Sequence, residues 1–240
     1  MELASVHVTL VIFLATLIRS AFGFGEALIA VPLLALFIPL QIAAPLAVLV
    51  SITVAGIVVA QDWRKIHVRS ASWLVASSLF GIPLGLMLLT SGHQKTMKVV
   101  LAVFIMAFSG YSLLGRRPPE LRSESHIWLS AFGFCAGVFG GAYGMNGPPL
   151  VIYGSMRRWS AQHLRATLQA YFLPASMIGM AGYWFAGLWS STVTHYYVVS
   201  LPATILAVWL GRIVNQRLRS DVFLKYVHGG LLVIGALLLR

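Results

Sequence analysis

The chain has 240 residues, of which 59% are hydrophobic and 10% charged, and its mean hydropathy is +0.86. A soluble domain of this size has no core large enough to hide so much apolar surface, so the composition excludes a soluble globular protein and indicates a polytopic membrane protein. The formal net charge is +11, but the lysines and arginines cluster in short loops, which is typical of cytoplasmic loops and excludes nucleic-acid binding as the explanation.

The first apolar run, from Val6 to Pro39, is interrupted at its centre by glycines. As one helix the run would be about 50 Å long, whereas the hydrocarbon core of a bilayer is about 30 Å thick. We therefore predict that it folds back on itself, with Gly23-Phe24-Gly25 as the tip. Backbone groups at a break inside a membrane lack partners unless they face protein, water or a bound ion, so the tip is a candidate site.

Three further spans complete the first half of the chain, at about 42–60, 71–89 and 97–114. The polar, proline-rich stretch 116–125 then predicts a boundary. Residues 1–115 are thus the expected first repeat half, 116–125 the connecting cytoplasmic loop and 126–240 the second half.

A second interrupted segment opens the second half, at about 127–156, and three spans follow at about 164–186, 196–213 and 222–239. Its residues 141–150 align without a gap with residues 20–29, so the chain contains the same break twice. Matched breaks in two halves are typical of the binding site of a transporter. The alternative is that these glycines and prolines only serve close helix packing.

Charge placement predicts the topology. The basic loops at 64–69, 116–122, 157–165 and 212–219 are all expected in the cytoplasm, whereas the turns near Pro39 and Trp189 carry no charge. The second interrupted segment lies between two basic loops that are both expected in the cytoplasm, so it should cross the membrane an even number of times. Counting the crossings back from these loops places both ends of the first interrupted segment outside. The predicted fold class is an all-α polytopic membrane protein with about eight transmembrane helices plus two broken or re-entrant helical hairpins, in two inverted repeats.

Arg19 and Glu26 flank the first tip. A buried charge in a bilayer costs at least about 2.5–3.5 kcal/mol unless it is paired or hydrated, so each requires an explanation. One is that the two neutralise each other, or that Arg19 extends to the interface. The other is that Arg19 and the N–H groups around Gly23 to Gly25 bind an anion, while Glu26 titrates or orients the network.

The second tip is uncharged, with Asn146 at the position of Gly25 and Gly147 at that of Glu26. The prolines that follow, beginning with Pro148, can open a short helix whose N-terminus carries a partial positive charge and favours an anion. A packing role for the prolines is equally open. Gly144, Asn146, Gly147 and Pro148 are therefore candidate substrate-binding residues.

Arg165 and Gln169 lie one turn apart at the start of the sixth span and share a helical face, which adds both to the candidates. Arg165 is alternatively a charge at the inner leaflet. The sequence has no carboxylate or histidine cluster with metal spacing and no nucleophile–base arrangement. We therefore expect no metal, no cofactor and no catalytic residues, and do not expect an enzyme.

The two breaks carry recognisable motifs, which are Gly23-Phe24-Gly25-Glu26 followed by Val31-Pro32, residues 144–154, and residues 164–169. These motifs resemble the sulfite exporter TauE/SafE family of membrane transporters. The resemblance implies a secondary transporter of the bacterial inner (plasma) membrane that moves sulfite, sulfonates such as sulfoacetate, or related small organic anions. The chain departs from the commoner triple-glycine form at Phe24 and Glu26.

The partners that follow are a small anionic substrate, a coupling ion that is either a proton or sodium, the lipid bilayer and a possible homodimer mate, but no nucleic acid. The alternative function is a non-transporting membrane scaffold or a lipid-modifying integral membrane enzyme. Such an enzyme would need the clustered acids or the nucleophile that the sequence lacks, and a scaffold has no need of polar groups at two breaks.

Overall fold

The computed structural model describes residues 2–62, 68–115, 119–121, 126–217 and 220–239. All regular structure in these ranges is helical. The helices are α1 (Glu2–Phe22), α2 (Glu26–Leu34), α3 (Leu40–Asp62), α4 (Val68–Thr90), α5 (Gln94–Leu113), α6 (His126–Tyr143), α7 (Gly147–Met156), α8 (Ala161–Phe185), α9 (Ser191–Arg217) and α10 (Ser220–Leu238).

Within the described ranges, α1, α3, α4, α5 and α9 are long and apolar enough to cross a membrane. Large apolar side chains point away from the bundle, for example Phe80 with 77% and Phe185 with 87% of its surface exposed. A water-soluble protein would not leave such faces uncovered, whereas lipid solvates them. The prediction of an all-α polytopic membrane protein is confirmed.

Both interrupted segments break at the predicted places. Residues 23–25 separate α1 from α2, and residues 144–146 separate α6 from α7. The glycines at the breaks adopt positive φ angles, 88° at Gly23, 100° at Gly25 and 67° at Gly144. Glycine reaches this region without the steric cost that a Cβ atom imposes, so these residues let the helices stop and restart within three residues.

Each interrupted segment returns to the end of the bundle where it began. The ring of His7, near the start of α1, lies 5.9 Å from the ring of Phe37, just after α2 ends. In the second segment, the N–H of Leu121, which precedes α6, donates to the carbonyl of Met156 at the end of α7, at 3.0 Å. The two segments are therefore broken helical hairpins.

Helices α4 and α6 pack side by side and run parallel. Near their starts, the rings of Trp73 and His126 lie 5.0 Å apart. Towards their other ends, Gly85 of α4 lies directly against the backbone of Ala142 in α6. A side chain at this position would collide with the neighbouring helix, so the glycine allows the close approach.

Helices α1 and α9 form a second parallel pair. Ser5 Oγ of α1 lies 3.4 Å from Nε2 of His195 near the start of α9. Gly211 of α9 lies against the backbone of α1, where a Cβ atom would come within 2.8 Å of the carbonyl oxygen of Leu17. The first hairpin is thus held by a helix from the far end of the chain.

Helices α3 and α8 contact each other and lie between these pairs, because α3 also packs on α9 and α8 on α4. Helices α5 and α10 pack antiparallel at the side, with Phe108 against His228 and Gly235 against Met106. Because α3 and α8 each follow one of the broken hairpins, their packing brings the two breaks to the centre of the protein.

Candidate functional site

A small cavity lies where the two breaks meet. Its wall contains residues of both breaks together with side chains from α3 and α8. Most of the predicted site residues line it, namely Arg19, Gly25, Glu26, Gly144, Asn146, Gly147 and Pro148. The remaining lining residues are Ala27, Leu28, Ser51, Met145 and Phe172. Residues more than a hundred positions apart in the sequence thus form one site.

The short helices α2 and α7 both begin at this cavity. Gly25 caps α2 and Asn146 caps α7, and neither cap provides a side-chain hydrogen bond to the helix. The first N–H groups of a helix have no partner within it and carry a partial positive charge. The prediction that Pro148 opens a short helix is confirmed, because prolines occupy the first positions of α7. Both N-termini bring partial positive charge to the cavity and favour an anion between them, but Pro148 and Pro149 have no N–H, so the first turn of α7 offers the N–H of Gly147 as its donor.

Arg19 and Glu26 form a buried ion pair beside the cavity. Their side chains are 3% and 2% exposed, and Nη1 of Arg19 donates to Oε2 of Glu26. The other carboxylate oxygen, Oε1, accepts a hydrogen bond from the hydroxyl of Thr16 at 3.2 Å. Of the explanations left open by the sequence, mutual neutralisation is therefore present in the structure, and Arg19 does not extend to an interface.

Arg19 nevertheless keeps donor capacity. Its Nη1 also donates to Oγ of Ser51 at 2.7 Å, and its guanidinium carbon lies 5.0 Å from the ring centroid of Phe172. Nε and Nη2 are buried and have no hydrogen-bond partner in the described part of the chain. A buried donor without a partner costs about 1–3 kcal/mol. Arg19 therefore has two donor nitrogens that no described residue satisfies, in a side chain that belongs to the cavity wall.

Two predicted residues, Gly23 and Gln169, meet at the first break without lining the cavity. Gln169 of α8 is 8% exposed, and its Nε2 donates to the carbonyl of Gly23 at 3.2 Å. This bond fixes the orientation of the peptide that follows Gly23, at the point where α1 ends. The side chain of Arg165, also predicted, lies outside the described residues.

The residues that sequence reasoning missed include Thr16, Ser51 and Phe172, which contact the side chains of Glu26 or Arg19. Thr16 precedes Arg19 by three residues, so the helical period alone places it on the same face. Ser51 and Phe172 lie in apolar spans, and no local pattern distinguishes them. Only the packing of α3 on α8 reveals their role, which is also visible in the 3.4 Å contact between the hydroxyls of Ser176 and Ser51.

The cavity offers a guanidinium, a carboxylate, hydroxyl, amide and backbone groups, and an apolar wall. Among its described lining residues, the ionisable ones are Arg19 and Glu26. Elsewhere in the described ranges, no three or more His, Cys, Asp or Glu side chains lie close enough to hold a metal ion. The arrangement can recognise and orient a small anion.

A family model described as "Sulfite exporter TauE/SafE" matches residues 8–239. The chain belongs to the sulfite exporter TauE/SafE family. The match includes both breaks and nearly the whole chain, so the resemblance seen in the motifs is confirmed. TauE/SafE proteins are membrane transporters and not enzymes, which also confirms that no enzyme is to be expected here. Neither the curated proteins nor the solved structures include a match to this TauE/SafE member.

Proposed function

We propose that this chain is a secondary transporter of small sulfur-containing anions in the bacterial inner (plasma) membrane. Its substrates are sulfite, sulfonates such as sulfoacetate, or related small organic anions, and a proton or sodium gradient drives their movement, in a single chain or a homodimer. The observation that carries the proposal is the cavity between two helix breaks, which combines two helix N-termini with the unpartnered N–H groups of Arg19.

The chemistry of the cavity suits an oxyanion. Sulfite and sulfonate groups present three oxygens, and each accepts hydrogen bonds from N–H donors such as those of Arg19, of the first turn of α2 and of Gly147 at the start of α7. The apolar wall at Leu28, Met145 and Phe172 suits the small organic part of a sulfonate. The proposed binding residues are Arg19, Gly23, Gly25, Glu26, Gly144, Asn146, Gly147, Pro148, Arg165 and Gln169.

The proposed architecture supports alternating access. It has eight long helices and the short α2 and α7, in two inverted repeats of residues 1–115 and 126–240, joined by residues 116–125. In the proposed repeat, α1 packs on α9 as α6 packs on α4. Gly85 near the end of α4 lies against Val138 and Ala142 of α6. Gly211 near the end of α9 lies against Leu17 and Ala21 of α1, which are the positions that align with Val138 and Ala142.

Helix direction supports the proposed sidedness. Helices α4 and α6 run parallel and both follow basic loops, as expected if both begin at the cytoplasmic face. Helices α1 and α9 also run parallel, and α9 follows the uncharged turn at Trp189, as expected if both begin outside. The two broken hairpins then enter from opposite faces, so that each side of the membrane can gain access to the cavity in turn.

A flux assay with purified protein tests the proposal. Proteoliposomes are loaded with unlabelled sulfite or methanesulfonate, diluted into the labelled anion, and compared with protein-free vesicles. We expect saturable counterflow of at least one of the two anions, competed by the other. Absence of any movement of either anion, under a proton gradient, a sodium gradient or neither, would contradict the proposed function.

A further inference from the structure

We propose that Glu26 is the proton-binding site that couples anion movement to a proton gradient, and that protonation of Glu26 releases Arg19 to bind the anion. The inference rests on the proposed function, and it specifies which of the two ions drives transport. It is carried by the ion pair at the cavity wall and by the two donor nitrogens of Arg19 that have no partner among the described residues.

The first step of the inference concerns the net charge of the site. Arg19 and Glu26 are buried and paired, so the cavity as it stands is neutral. An anion that entered this neutral, buried site would bring a full negative charge against only the partial positive charges of the two helix N-termini, which is unfavourable in a low-dielectric surrounding. Binding is therefore favoured when a positive charge arrives with the anion or a negative charge is removed.

A proton on Glu26 satisfies this condition. The carboxylate accepts the proton and becomes a neutral carboxylic acid, which ends its ionic attraction to Arg19, while Thr16 can still donate to Oε1. Arginine keeps its charge, so Nη1 joins Nε and Nη2 as a donor to the incoming anion. With proton and monoanion both bound, the site is neutral again. When the anion leaves, the positive charge of Arg19 again favours the ionised form of Glu26, which gives its proton to water on the side where the anion is released, so one proton travels with each anion.

The contacts of Glu26 favour a proton over sodium. Both carboxylate oxygens face hydrogen-bond donors, Oε2 the guanidinium of Arg19 and Oε1 the hydroxyl of Thr16. A sodium ion needs several converging oxygen ligands, and here it would have to sit beside a guanidinium. A proton needs only one oxygen of the carboxylate and does not have to displace Arg19 from the site.

Four helices pack against α2, which carries Glu26. From α1, Arg19 and Thr16 contact the carboxylate, and from α3 Ser51 stands behind Arg19. In the described part of the chain, Arg19 is the ion-pair partner of Glu26. The other ionisable side chains described on these helices are two histidines and three residues of α5. His7 of α1 packs on Phe37, and His228 of α10 packs on Phe108. The residues of α5 are Lys95, Lys98 and Tyr111.

The test compares full-length wild type with Glu26→Gln in proteoliposomes that contain a pH dye. Methanesulfonate is the probe, because its sulfonate stays ionised at neutral pH and any pH effect then reports on the protein. Glutamine resembles the protonated carboxylic acid in shape and charge. Glu120→Gln, the same change at an exposed residue of the connecting stretch, is the matched control.

For wild type and Glu120→Gln, we expect an acidic exterior to drive accumulation of methanesulfonate with about one proton per anion. Where Glu26 is ionised in the free protein, the affinity of both proteins for methanesulfonate should fall about tenfold for each unit by which the pH rises, because a proton is bound with each anion. Glu26→Gln should bind methanesulfonate with a pH-independent affinity and lose accumulation driven by the pH gradient.

The outcomes separate this inference from the proposed function. If wild type moves neither sulfite nor methanesulfonate, the proposed function fails. If wild type exchanges an anion but accumulates it with sodium and not with protons, or if Glu26→Gln still accumulates under a pH gradient, the function stands and the role of Glu26 is refuted. Loss of both counterflow and binding in a folded Glu26→Gln protein would make Glu26 a structural partner and would also overturn the inference.

If the Glu26→Gln protein does not insert into the membrane, a measurement on the wild-type protein tests the inference. Methanesulfonate binding to purified protein is then measured in weakly buffered solution, and the uptake of one proton per bound anion is expected. Binding without proton uptake over a pH range in which the affinity is constant would refute the inference.

Discussion

The ion pair between Arg19 and Glu26 joins the last turn of α1 to the first turn of α2 across the break at residues 23–25. The carboxylate lies at the N-terminus of α2, where it meets the partial positive charge of that helix as well as the guanidinium. The same pair that holds the hairpin together therefore lies in the wall of the cavity, and a ligand that interacts with Arg19 acts on the break itself.

Changing Arg19 separates its structural role from its binding role. Arg19→Ala should weaken anion binding by one to two orders of magnitude, because it removes a charge-assisted hydrogen bond of about 1.5–3 kcal/mol. The double variant Arg19→Ala with Glu26→Ala removes both charges, so it should insert and recover stability that either single variant loses. Equilibrium binding and thermal unfolding in detergent measure the two effects. A double variant that transports at the wild-type rate would show that Arg19 is only the partner of Glu26.

Arg19→Lys tests the two unpartnered nitrogens. Lysine keeps the positive charge that pairs with Glu26 but lacks the planar fork of N–H donors. Thermal stability should therefore stay close to that of wild type, while the affinity for methanesulfonate falls by about tenfold, which corresponds to about 1.4 kcal/mol. Wild-type affinity in a folded Arg19→Lys protein would indicate that Nε and Nη2 do not contact the anion.

The hydrogen bond from Gln169 to the carbonyl of Gly23 should be needed for a well-formed break. Gln169→Met keeps the length of the side chain but removes the donor, which leaves a buried carbonyl without a partner at a cost of about 1–3 kcal/mol. We expect a lower melting temperature together with weaker anion binding. Gln94→Met is the control: its Nε2 donates to Oε1 of Gln41 at an exposed position, where water can replace the lost bond, so both quantities should change little. Unchanged binding in Gln169→Met would show that this support is dispensable.

Close packing at Gly85 and Gly211 predicts a matched pair of stability losses. A Cβ atom at Gly85 would overlap the carbonyl oxygen of Val138, and one at Gly211 would lie 2.8 Å from that of Leu17. Each change to alanine should destabilise the protein by about 1–3 kcal/mol. Gly56→Ala, where nothing lies within 4 Å, is the control and should be neutral or stabilising. A loss at only one of the two glycines would argue against equivalent interfaces.

Labelling of single cysteines tests the sidedness. Cys135, an exposed residue of α6, is first changed to serine. Ser191→Cys, next to Trp189, should then react with a membrane-impermeant maleimide on intact cells. Ser155→Cys, near Arg158 at the end of α7, should react only after permeabilisation. Labelling of Ser155→Cys from outside would contradict the inverted repeats.

The sequence was sufficient for the parts of the structure that depend on local physics. The positions of the breaks follow from glycines that tolerate positive φ, and the prolines after Asn146 predict the start of α7 correctly. The helical period also predicts that Thr16 and Arg19 lie on the same face of α1. In each case the determining residues lie within one or two turns of each other.

The remaining features depend on contacts between distant segments. Ser51 and Phe172 lie in spans where a serine or phenylalanine is unremarkable, and they join the site only because α3 packs on α8. The pairing of α1 with α9 and of α4 with α6 likewise depends on glycines such as Gly85 and Gly211, which also suit any other tight helix contact in a membrane. Periodicity indicates that such a helix has a partner, but it does not identify the partner.

The pairing of α1 with α9 affects how the protein is made. Ser5 and His195 meet although 190 residues separate them. At a synthesis rate of about 5–20 residues per second, α1 waits about 10–40 s in the translocation machinery or the lipid before α9 is available. Arg19 and Glu26 are only seven residues apart and can neutralise each other as soon as the first hairpin leaves the ribosome. The charges of the first hairpin are therefore already paired during the interval before α9, its partner helix, has been translated.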